Sequence, residues 1–370
     1  MTSALDVAPP DPQLYALLRE EGFGDEVFNP RQHRTCELVE RYTRALATGL
    51  VDALGLGDAL ARGASVDELV AATAFVPAFR PALAWLVEYV ASVDPPGTTT
   101  DVLRATILDM DASYAPALAL LDEAAAIYPC VARGETTGEH ALFRRAALWF
   151  AYFSNENGYY AINNRVAAAA AAGRCRPGAR VLEIGAGLGS ATEALLARLG
   201  PAAGSLATYR ATEPVALFRR RAERNLRAAR PDVPFVFDAL DANEAWDVPP
   251  GSFDLVWGVN VFHLARELER VLGEACRALA PGGWLVAGEG LRPAPERPVG
   301  AELPFRLLES FTDVELDPER RPTPGFLTAE TWCAAFARAG FVHVTLVPDA
   351  VRVRALYPGL FAAGVCGQAG

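Results

Sequence analysis

The chain has 370 residues, which is long for one domain, and its 51% hydrophobic and 21% charged content is that of a folded protein with a large core. Its net charge of −11 argues against nucleic acid as a partner, because proteins that bind phosphate backbones usually carry the opposite sign. The sequence contains Arg but no Lys, which excludes pyridoxal phosphate enzymes and P-loop kinases, because both need a lysine.

The six Cys residues form no CxxC pair, and only four His residues are present. Zinc sites need clustered ligands, so we expect no metal site, and we expect reduced thiols in a reducing compartment. The first residues lack a basic start followed by an apolar run, and no apolar stretch reaches the roughly 18 residues that a membrane span needs. These features predict a cytoplasmic protein with no membrane partner.

The first part of the chain has the pattern of a helical domain. Residues 1–30 are rich in Pro and acidic side chains and predict an irregular strap. From about Thr35 apolar residues recur at helical spacing, and Ser65 with Glu68 forms a capping box that opens a short helix before a longer one. This order is typical of a winged helix, which binds DNA or forms dimers. The acidic chain favours the dimer.

Helical periodicity continues to the Ala run 167–172, and Arg176-Pro177-Gly178 then breaks it. We therefore predict a boundary between two domains at this point. Residues 1–172 form a helical, winged-helix-like domain that serves for dimerisation or as a lid. Residues 173–370 form an α/β domain.

From Ala179 onward short apolar segments alternate with helical segments, which is typical of a parallel sheet with crossover helices. We predict helix starts near Ser190, Pro214, Leu264 and Thr328. The predicted strands are ARVLEIGA, SLATYRATE, PFVFDAL, FDLVWGVN and GGWLVAGEG, with HVTLVPDA and VRVRALYP completing the sheet.

The Gly-rich stretch EIGAGLGS lies between the first predicted strand and its helix. Gly185, Gly187 and Gly189 allow a tight turn and leave space for a ligand to approach the main chain, beside the free N–H groups of a helix N-terminus. A nicotinamide fingerprint would need Gly at Ser190, so the spacing argues against that cofactor. Taken alone, the motif also fits a tight turn that binds no ligand.

Acidic residues follow the next two strands. Glu213 ends the second strand, where a carboxylate can accept hydrogen bonds from both hydroxyls of a ribose. Asp241 follows the third strand and can accept from an adenine amine. Each acid alone fits a solvated loop equally well, but three sites in this order after three consecutive strands are hard to obtain by accident.

Residues 175–370 resemble the class I S-adenosylmethionine-dependent methyltransferases in EIGAGLGS, TEP, ALDAN, FDLVWGVNVFH and LAPGGWLVAGE. The resemblance implies a Rossmann-like, seven-stranded domain that binds S-adenosylmethionine at the carboxyl ends of strands one to four. The glycines would face the methionine part, Glu213 the ribose and Asp241 the adenine. Glu183 and Asn260 are further candidates for contact with this cofactor.

Two polar residues predict a catalytic base. His263 follows strand four, and Glu289 ends strand five, which is expected to lie beside it. A carboxylate bound to one imidazole nitrogen fixes the tautomer and raises the basicity of the other nitrogen. The pair would then remove a proton from an acidic carbon or a hydroxyl. Each residue alone also fits a structural polar group at a strand end.

A narrower resemblance links NVFH and LAPGGWLVAGE to the C-methyltransferase domains of polyketide synthases. It implies that His263 and Glu289 deprotonate a carbon between two carbonyls of a small-molecule acceptor. The first helical region is more similar to the dimerisation region of small-molecule O-methyltransferases, which implies a homodimer. Leu188-Gly189-Ser190 also stands where the polyketide domains usually have Thr-Gly-Gly.

These departures leave alternatives open. O- or N-methylation of a small natural product is one, and a cyclase or scaffold that binds the cofactor without transferring methyl is another. The sequence also leaves open whether the acceptor is free or tethered to a carrier protein.

Two segments are candidates to cover the site. The aromatic and amide side chains of residues 150–164 can close over the ligands or simply form a packed arm between the domains. The Pro- and Arg-rich stretch 291–325 predicts a loop over the substrate mouth. The substrate contacts that we predict from the first segment are Tyr152, Asn155, Tyr159 and Tyr160.

Overall fold

The computed structural model describes residues 5–92, 94 and 97–370. Within them, every regular element before residue 180 is helical. The α-helices of this region are α1 Pro12–Glu20, α2 Pro30–Ala53, α3 Gly57–Ala61, α4 Val66–Ala72, α5 Arg80–Ser92, α6 Thr100–Met110, α7 Ala115–Ala132, α8 Gly138–Phe143, α9 Ala146–Tyr152 and α10 Gly158–Ala172.

Strands and helices alternate in the remainder of the chain, as predicted. In order they are β1 Arg180–Ile184, α11 Ser190–Leu199, β2 Thr208–Thr212, α12 Ala216–Ala229, β3 Phe235–Asp238, β4 Phe253–Val259, α13 Leu268–Ala278, β5 Leu279–Arg292, α14 Glu309–Thr312, β6 Leu327–Thr328, α15 Ala329–Arg338, β7 Phe341–Val347, α16 Ala350–Leu356 and β8 Ala362–Ala369.

The main sheet has the strand order β3-β2-β1-β4-β5-β8-β7, and the short β6 pairs with β5 outside this path. Strand β8 runs antiparallel to both of its neighbours, and the pairs from β3 to β5 are parallel. The chain leaves β1 in one direction and returns to β4 on its other side, so the order reverses between these two strands. Ligands of open α/β sheets bind at the carboxyl ends of the strands on either side of such a reversal.

The sequence also predicted VRVRALYP as a strand, which is wrong. These residues fall mostly in α16, and the last strand is β8. The Asp349 carboxylate caps the helix by accepting hydrogen bonds from the amides of Val351 and Arg352. Ala350 and Val353 are buried three residues apart, so the helical period determines the packing here.

The helical character of the first region is confirmed, including the capping box between Ser65 and Glu68. A winged helix also needs a β-hairpin, and no strand precedes β1 in the part of the chain that the structure describes. The strap predicted over residues 1–30 contains α1, which begins at Pro12 and is capped by Asp11.

Each region has its own core, and each core takes residues from the other region. Leu14, Leu17 and Leu18 of α1 pack among the side chains of the sheet. Leu303 and Leu307, which follow β5, pack among the N-terminal helices. Helix α10 packs on the sheet although it lies N-terminal to residue 173. The boundary between residues 172 and 173 stays a prediction.

One helical stretch, Ala112–Ala132, is long and apolar enough to cross a membrane by length and composition alone. Leu118, Leu121 and Tyr128 of this stretch are buried in the core of the helical region. Such burial is typical of a core helix in a folded domain.

Candidate active site

The Gly-rich turn after β1 lies at the carboxyl edge of the sheet. Gly187 has a positive φ of 55°, and a Cβ atom placed there would meet nothing closer than 4.0 Å. At Gly185 and Gly189 a Cβ would instead come within 2.7 Å of Val261 and 2.9 Å of Leu226. The turn therefore packs tightly on its flanks and leaves open space above Gly187, as a ligand that approaches the main chain requires.

Glu213, at the end of β2, holds this turn. One oxygen of its carboxylate accepts a hydrogen bond from the Gly187 amide at 3.0 Å, and the other accepts from the Val215 amide at 2.8 Å. Burial raises the pKa of Glu213, although these two hydrogen bonds act to lower it. Each oxygen keeps a second lone pair, so the carboxylate can still accept from two hydroxyl groups of a ligand.

A cavity of ≈ 360 Å³ opens beside the turn, lined by Gly185, Leu240, Asp241, Val261 and Leu264 among others. One oxygen of Asp241 accepts a hydrogen bond from the Asn243 amide, which orients the carboxylate. Gly185 after β1, Pro214 after β2 and Asp241 after β3 thus line one space.

Glu183 is placed differently from the other predicted cofactor contacts. It is 1% exposed, and one of its oxygens accepts from the hydroxyls of Thr192 at 2.6 Å and Tyr209 at 2.7 Å. Burial raises its pKa to about 7, against these two hydrogen bonds. Its contacts therefore tie β1 to α11 and β2, below the Gly-rich turn, and its role as a cofactor contact stays a prediction.

His263 and Glu289 come together as the sequence predicted. The distance from His263 Nδ1 to Glu289 Oε2 is 2.6 Å, and both residues are buried at 4% and 1% exposure. The second oxygen of Glu289 accepts from the Phe262 amide at 2.9 Å. Because Nδ1–H donates to the carboxylate, the imidazole presents Nε2 with its lone pair on the other side.

His263 lines a second cavity of ≈ 190 Å³. Its wall is mostly aromatic, and the rings of Phe326 and Phe311 lie 4.9 and 5.4 Å from the imidazole. Leu264 and Ser310 line both this cavity and the one beside the Gly-rich turn, so the two spaces adjoin. The other aromatic residues of the wall are Phe143, Trp149, Tyr152, Phe153, Tyr159, Tyr160, Phe218, Phe305 and Phe361.

Three of the four predicted substrate contacts, Tyr152, Tyr159 and Tyr160, line this cavity. Burial raises the pKa of each of them, so their hydroxyls stay neutral donors. The fourth, Asn155, does not line it, because its amide donates to the Ser190 carbonyl at 2.8 Å and attaches this segment to α11. Its predicted contact with substrate has no support in this geometry.

Asn260 is a further polar residue in the wall of the aromatic cavity. It follows β4 with a φ of 53°, a left-handed backbone that is uncommon for a residue other than glycine, and its side chain lines the aromatic cavity. Its amide oxygen is buried and has no partner among the described residues. Buried polar atoms are normally paired, so this oxygen is available to a ligand.

The stretch 291–325 does lie over the cavity, as predicted, and contributes Ala301, Phe305, Leu308, Ser310 and Phe311 to its wall. It is mostly ordered by short helices and by a buried ion cluster. No sequence pattern identified that cluster, because its members come from segments that are far apart in the sequence.

The Glu302 carboxylate, at the centre of this cluster, accepts hydrogen bonds from Arg292 at 2.8 Å, Arg306 at 2.9 Å and the Trp85 indole at 3.0 Å. It also accepts from the Phe326 amide at 3.2 Å. Burial acts to raise the pKa of Glu302, but the two arginines hold it below its ordinary value.

Comparisons with known proteins give the same picture. A family model described as a methyltransferase domain matches residues 182–285. The chain carries a class I methyltransferase domain. S-adenosylmethionine is its cofactor, and the residues around Gly187 and Glu213 fit that molecule, because they leave open space over the main chain beside a buried acceptor.

The chain is similar to parts of much longer enzymes, among them the polyketide synthase ThaG of Burkholderia thailandensis, to which it is 29% identical over 171 residues, 45% of this chain and 3% of the synthase. It is 33% identical to the tenellin synthetase of Beauveria bassiana over 173 residues, which is 45% of this chain and 4% of the synthetase. The chain therefore spans only a small part of the length of such relatives.

Two solved structures share its fold. The CurJ carbon methyltransferase matches 97% of this chain and 96% of its own, with a TM-score of 0.73 and 22% identity. The trans-methyltransferase CalH, in complex with SAH, matches 93% and 92% with a TM-score of 0.62 and 20% identity. These matches include the N-terminal helices, so the helical region and the sheet occur together in those proteins also.

Proposed function

We propose that this methyltransferase domain methylates a carbon that lies between two carbonyl groups of a polyketide-like acceptor. The observation that carries the proposal is the hydrogen bond of 2.6 Å between His263 and Glu289, buried at the wall of an aromatic cavity that adjoins the cofactor cavity. The similarity to the polyketide synthase ThaG supports the same acceptor class.

The chemistry follows from the tautomer that Glu289 selects. The carboxylate accepts from Nδ1–H, and Nε2 then takes a proton from the acidic carbon while the C–H electron pair becomes an enolate. S-adenosylmethionine, when bound, supplies an electrophilic methyl group. The residues around Gly187 and Glu213 would hold that cofactor, whose methyl group would pass to the enolate carbon with the thioether as leaving group. The carboxylate stabilises the imidazolium until its proton is released.

The cavity wall supports this step in two ways. Its aromatic side chains exclude water, which strengthens the interactions of the few polar groups within it. One of those groups is the hydroxyl of Tyr160, a neutral donor that is placed to hold a carbonyl or enolate oxygen near the base. Displacement at a sulfonium carbon needs in-line approach, so positioning is the main contribution of the wall.

The shape of the site favours an extended acceptor. The aromatic cavity shares Tyr159, Ala301 and Phe361 with a neighbouring space of ≈ 330 Å³, which leads past Arg44 and Arg297. A free metabolite of a few atoms would not need this second space. We therefore propose that the acceptor is a chain delivered on a carrier protein.

The experiment is methylation of acetoacetyl-N-acetylcysteamine, a thioester that mimics a tethered acceptor, with methyl-labelled S-adenosylmethionine. We expect a product with one labelled methyl on C2, seen as a C–CH₃ signal by NMR. Glu289→Gln and His263→Gln should each lower kcat by about 100- to 10,000-fold. The exposed His140→Gln serves as the control and should keep full activity.

The same assay distinguishes the alternative functions. An O–CH₃ signal would assign the protein to O-methylation, in which His263 still acts as base. Binding of S-adenosylmethionine without any transfer, to this thioester or to hydroxyl and amine acceptors, would indicate a cyclase or scaffold.

We also propose a cytoplasmic location and a homodimer. All six Cys residues are free thiols, as expected in a reducing compartment. The homodimer rests on the resemblance of the helical region to dimerisation modules. Sedimentation equilibrium tests it, and a mass of one chain, 39.5 kDa, at every concentration would contradict it.

A further inference from the structure

Arg321 lies on the side of the His263 turn that Glu289 does not reach. The turn Phe262–Leu264 is a single 3₁₀ turn, and its last carbonyls have no helical continuation to satisfy them. The Arg321 guanidinium supplies donors to them: Nη2 donates to the His263 carbonyl at 2.6 Å, and Nη1 donates to the Ala265 carbonyl at 2.5 Å. The turn is thus held from both sides.

The backbone around Arg321 is itself fixed. Asp317 and Arg321 exchange hydrogen bonds of 3.0 and 2.8 Å through their main chains, and the Asp317 carboxylate accepts from the amides of Glu319 and Arg320. This short closed turn directs one arginine inward. Its neighbour Arg320 points outward, where it pairs with Glu269 at 3.4 Å and is 58% exposed.

Arg321 is 4% exposed, and no carboxylate lies within salt-bridge distance of it in the described part of the chain. Burial lowers the pKa of Arg321 to about 10, although the charge of the Glu289 carboxylate acts to raise it. The guanidinium is therefore still a cation at neutral pH. An unpaired buried cation is costly, and such a group is typically retained for a function.

We propose that Arg321 is a positioning residue of the catalytic base: it clamps the turn that carries His263 and places a positive charge behind the His263–Glu289 pair. The clamp fixes the imidazole between Glu289 and the cavity. The positive charge attracts the Glu289 carboxylate that accepts from Nδ1, and so helps to hold Nε2 towards substrate as the acceptor. The base role of His263 is that of the proposed function.

Of the groups that the structure describes around His263, Arg321 supplies this positive charge. Glu289 faces the ring from β5, and Phe311 and Phe326 cover its other faces. The remaining titratable groups of the cavity are the tyrosines of α9 and α10, whose pKa burial raises. Arg306 lies beyond the Phe311 ring, 5.3 Å from its centroid, and is paired with Glu302.

The test uses Arg321→Gln, which removes the charge, and Arg321→Lys, which keeps the charge but loses the two-armed clamp. Arg320→Gln is the matched control, since it removes an exposed charge from the same turn. Rates are measured with acetoacetyl-N-acetylcysteamine and S-adenosylmethionine across pH 5–9. The chain has four His residues, so ¹³C-labelled histidine also allows the His263 ring to be titrated by NMR without any substrate.

We expect Arg321→Gln to lower kcat about 10- to 100-fold with KM nearly unchanged, because misplacement of a base by a fraction of an ångström slows chemistry rather than binding. The acidic limb of its rate profile and the midpoint of the His263 resonance should both move to higher pH, because a nearby cation that disfavours the imidazolium has been removed. Arg321→Lys should restore the wild-type midpoint while recovering only part of kcat. Arg320→Gln should leave both measurements unchanged.

The proposal is overturned if the His263 midpoint of Arg321→Gln equals that of the wild type, or if Arg320→Gln moves it as far. If Arg321→Gln does not fold, Arg321→Lys decides: a wild-type midpoint with reduced kcat supports the clamp, and unchanged kcat refutes it. The NMR titration needs no methyl transfer. Failure of the wild type to methylate the thioester would therefore refute the proposed function and still leave the charge of Arg321 tested.

Discussion

The buried carboxyl of Glu183 should make the stability of the fold depend on pH. Its pKa is raised from 4.5 to about 7, with burial as the main cause. Between these values the folded protein keeps the proton while the unfolded chain loses it. The stability contributed by the protonated form is therefore fully present below pH 4.5 and is lost as the pH rises through about 7.

The difference of about 2.5 pKa units, at about 1.4 kcal/mol each, amounts to about 3 kcal/mol of unfolding free energy lost by pH 8. Glu183→Gln carries no charge at any pH and should escape this loss. Its amide oxygen can accept from Thr192 and Tyr209, and its NH₂ group replaces an oxygen that has no partner in the described structure either. We expect the variant to match the wild type near pH 4.5 and to exceed it by up to about 3 kcal/mol at pH 8.

The assay is urea unfolding followed by Trp fluorescence at pH 5, 6, 7 and 8 for both proteins. The exposed Glu296→Gln removes the same charge from the surface and should show no such pH dependence. A stability difference between Glu183→Gln and wild type that stays constant from pH 5 to 8 would refute the reasoning. It would mean that Glu183 is ionised in the folded protein throughout.

Three further predictions concern the two cavities. Glu213→Ala should weaken binding of S-adenosylmethionine about 10- to 1,000-fold in calorimetry, because it removes the acceptor for ribose and frees the Gly187 amide. Glu296→Gln is the control, and an unchanged Kd of Glu213→Ala would contradict the assignment. Gly187→Val should abolish binding, since its side chain would fill the open space and strain a positive φ, and tight binding by this variant would place the cofactor elsewhere. Ala301→Phe should lower kcat/KM for long thioester acceptors more than kcat/KM for acetoacetyl-N-acetylcysteamine, because residue 301 lies where the two substrate spaces meet. Equal losses of kcat/KM for both acceptors would argue against a connected channel.

The sheet could be predicted because its strands are short, apolar and separated by helices, and the site could be predicted because polar residues follow those strands. His263 and Glu289 are 26 positions apart in the sequence, yet the parallel pairing of β4 and β5 places them at one edge. The same logic located Glu213 and Asp241. In each case a local pattern and one general rule of parallel sheets were sufficient.

The parts that could not be predicted depend on contacts between distant segments. Arg321 lies in a stretch with no periodicity, and its partners, the carbonyls of His263 and Ala265, carry no side-chain signal. The alternation in VRVRALYP suggested a strand, but the capping of α16 by Asp349 decided otherwise. Asn155 has the chemistry of a substrate contact, and only its bond to the Ser190 carbonyl shows where that chemistry is used.

The Glu302 cluster makes the acceptor pocket a joint product of both halves of the molecule. Trp85 comes from the helical region, Arg292 from the sheet and Arg306 from the segment over the cavity, and all of them meet on one carboxylate that also holds the Phe326 amide. The preference for an acceptor therefore depends on both regions and would not be transferred with one of them alone. A chimera that exchanges only one half would leave the Trp85 indole and the Glu302 carboxylate without each other, so new specificities are best sought by exchanging both halves together.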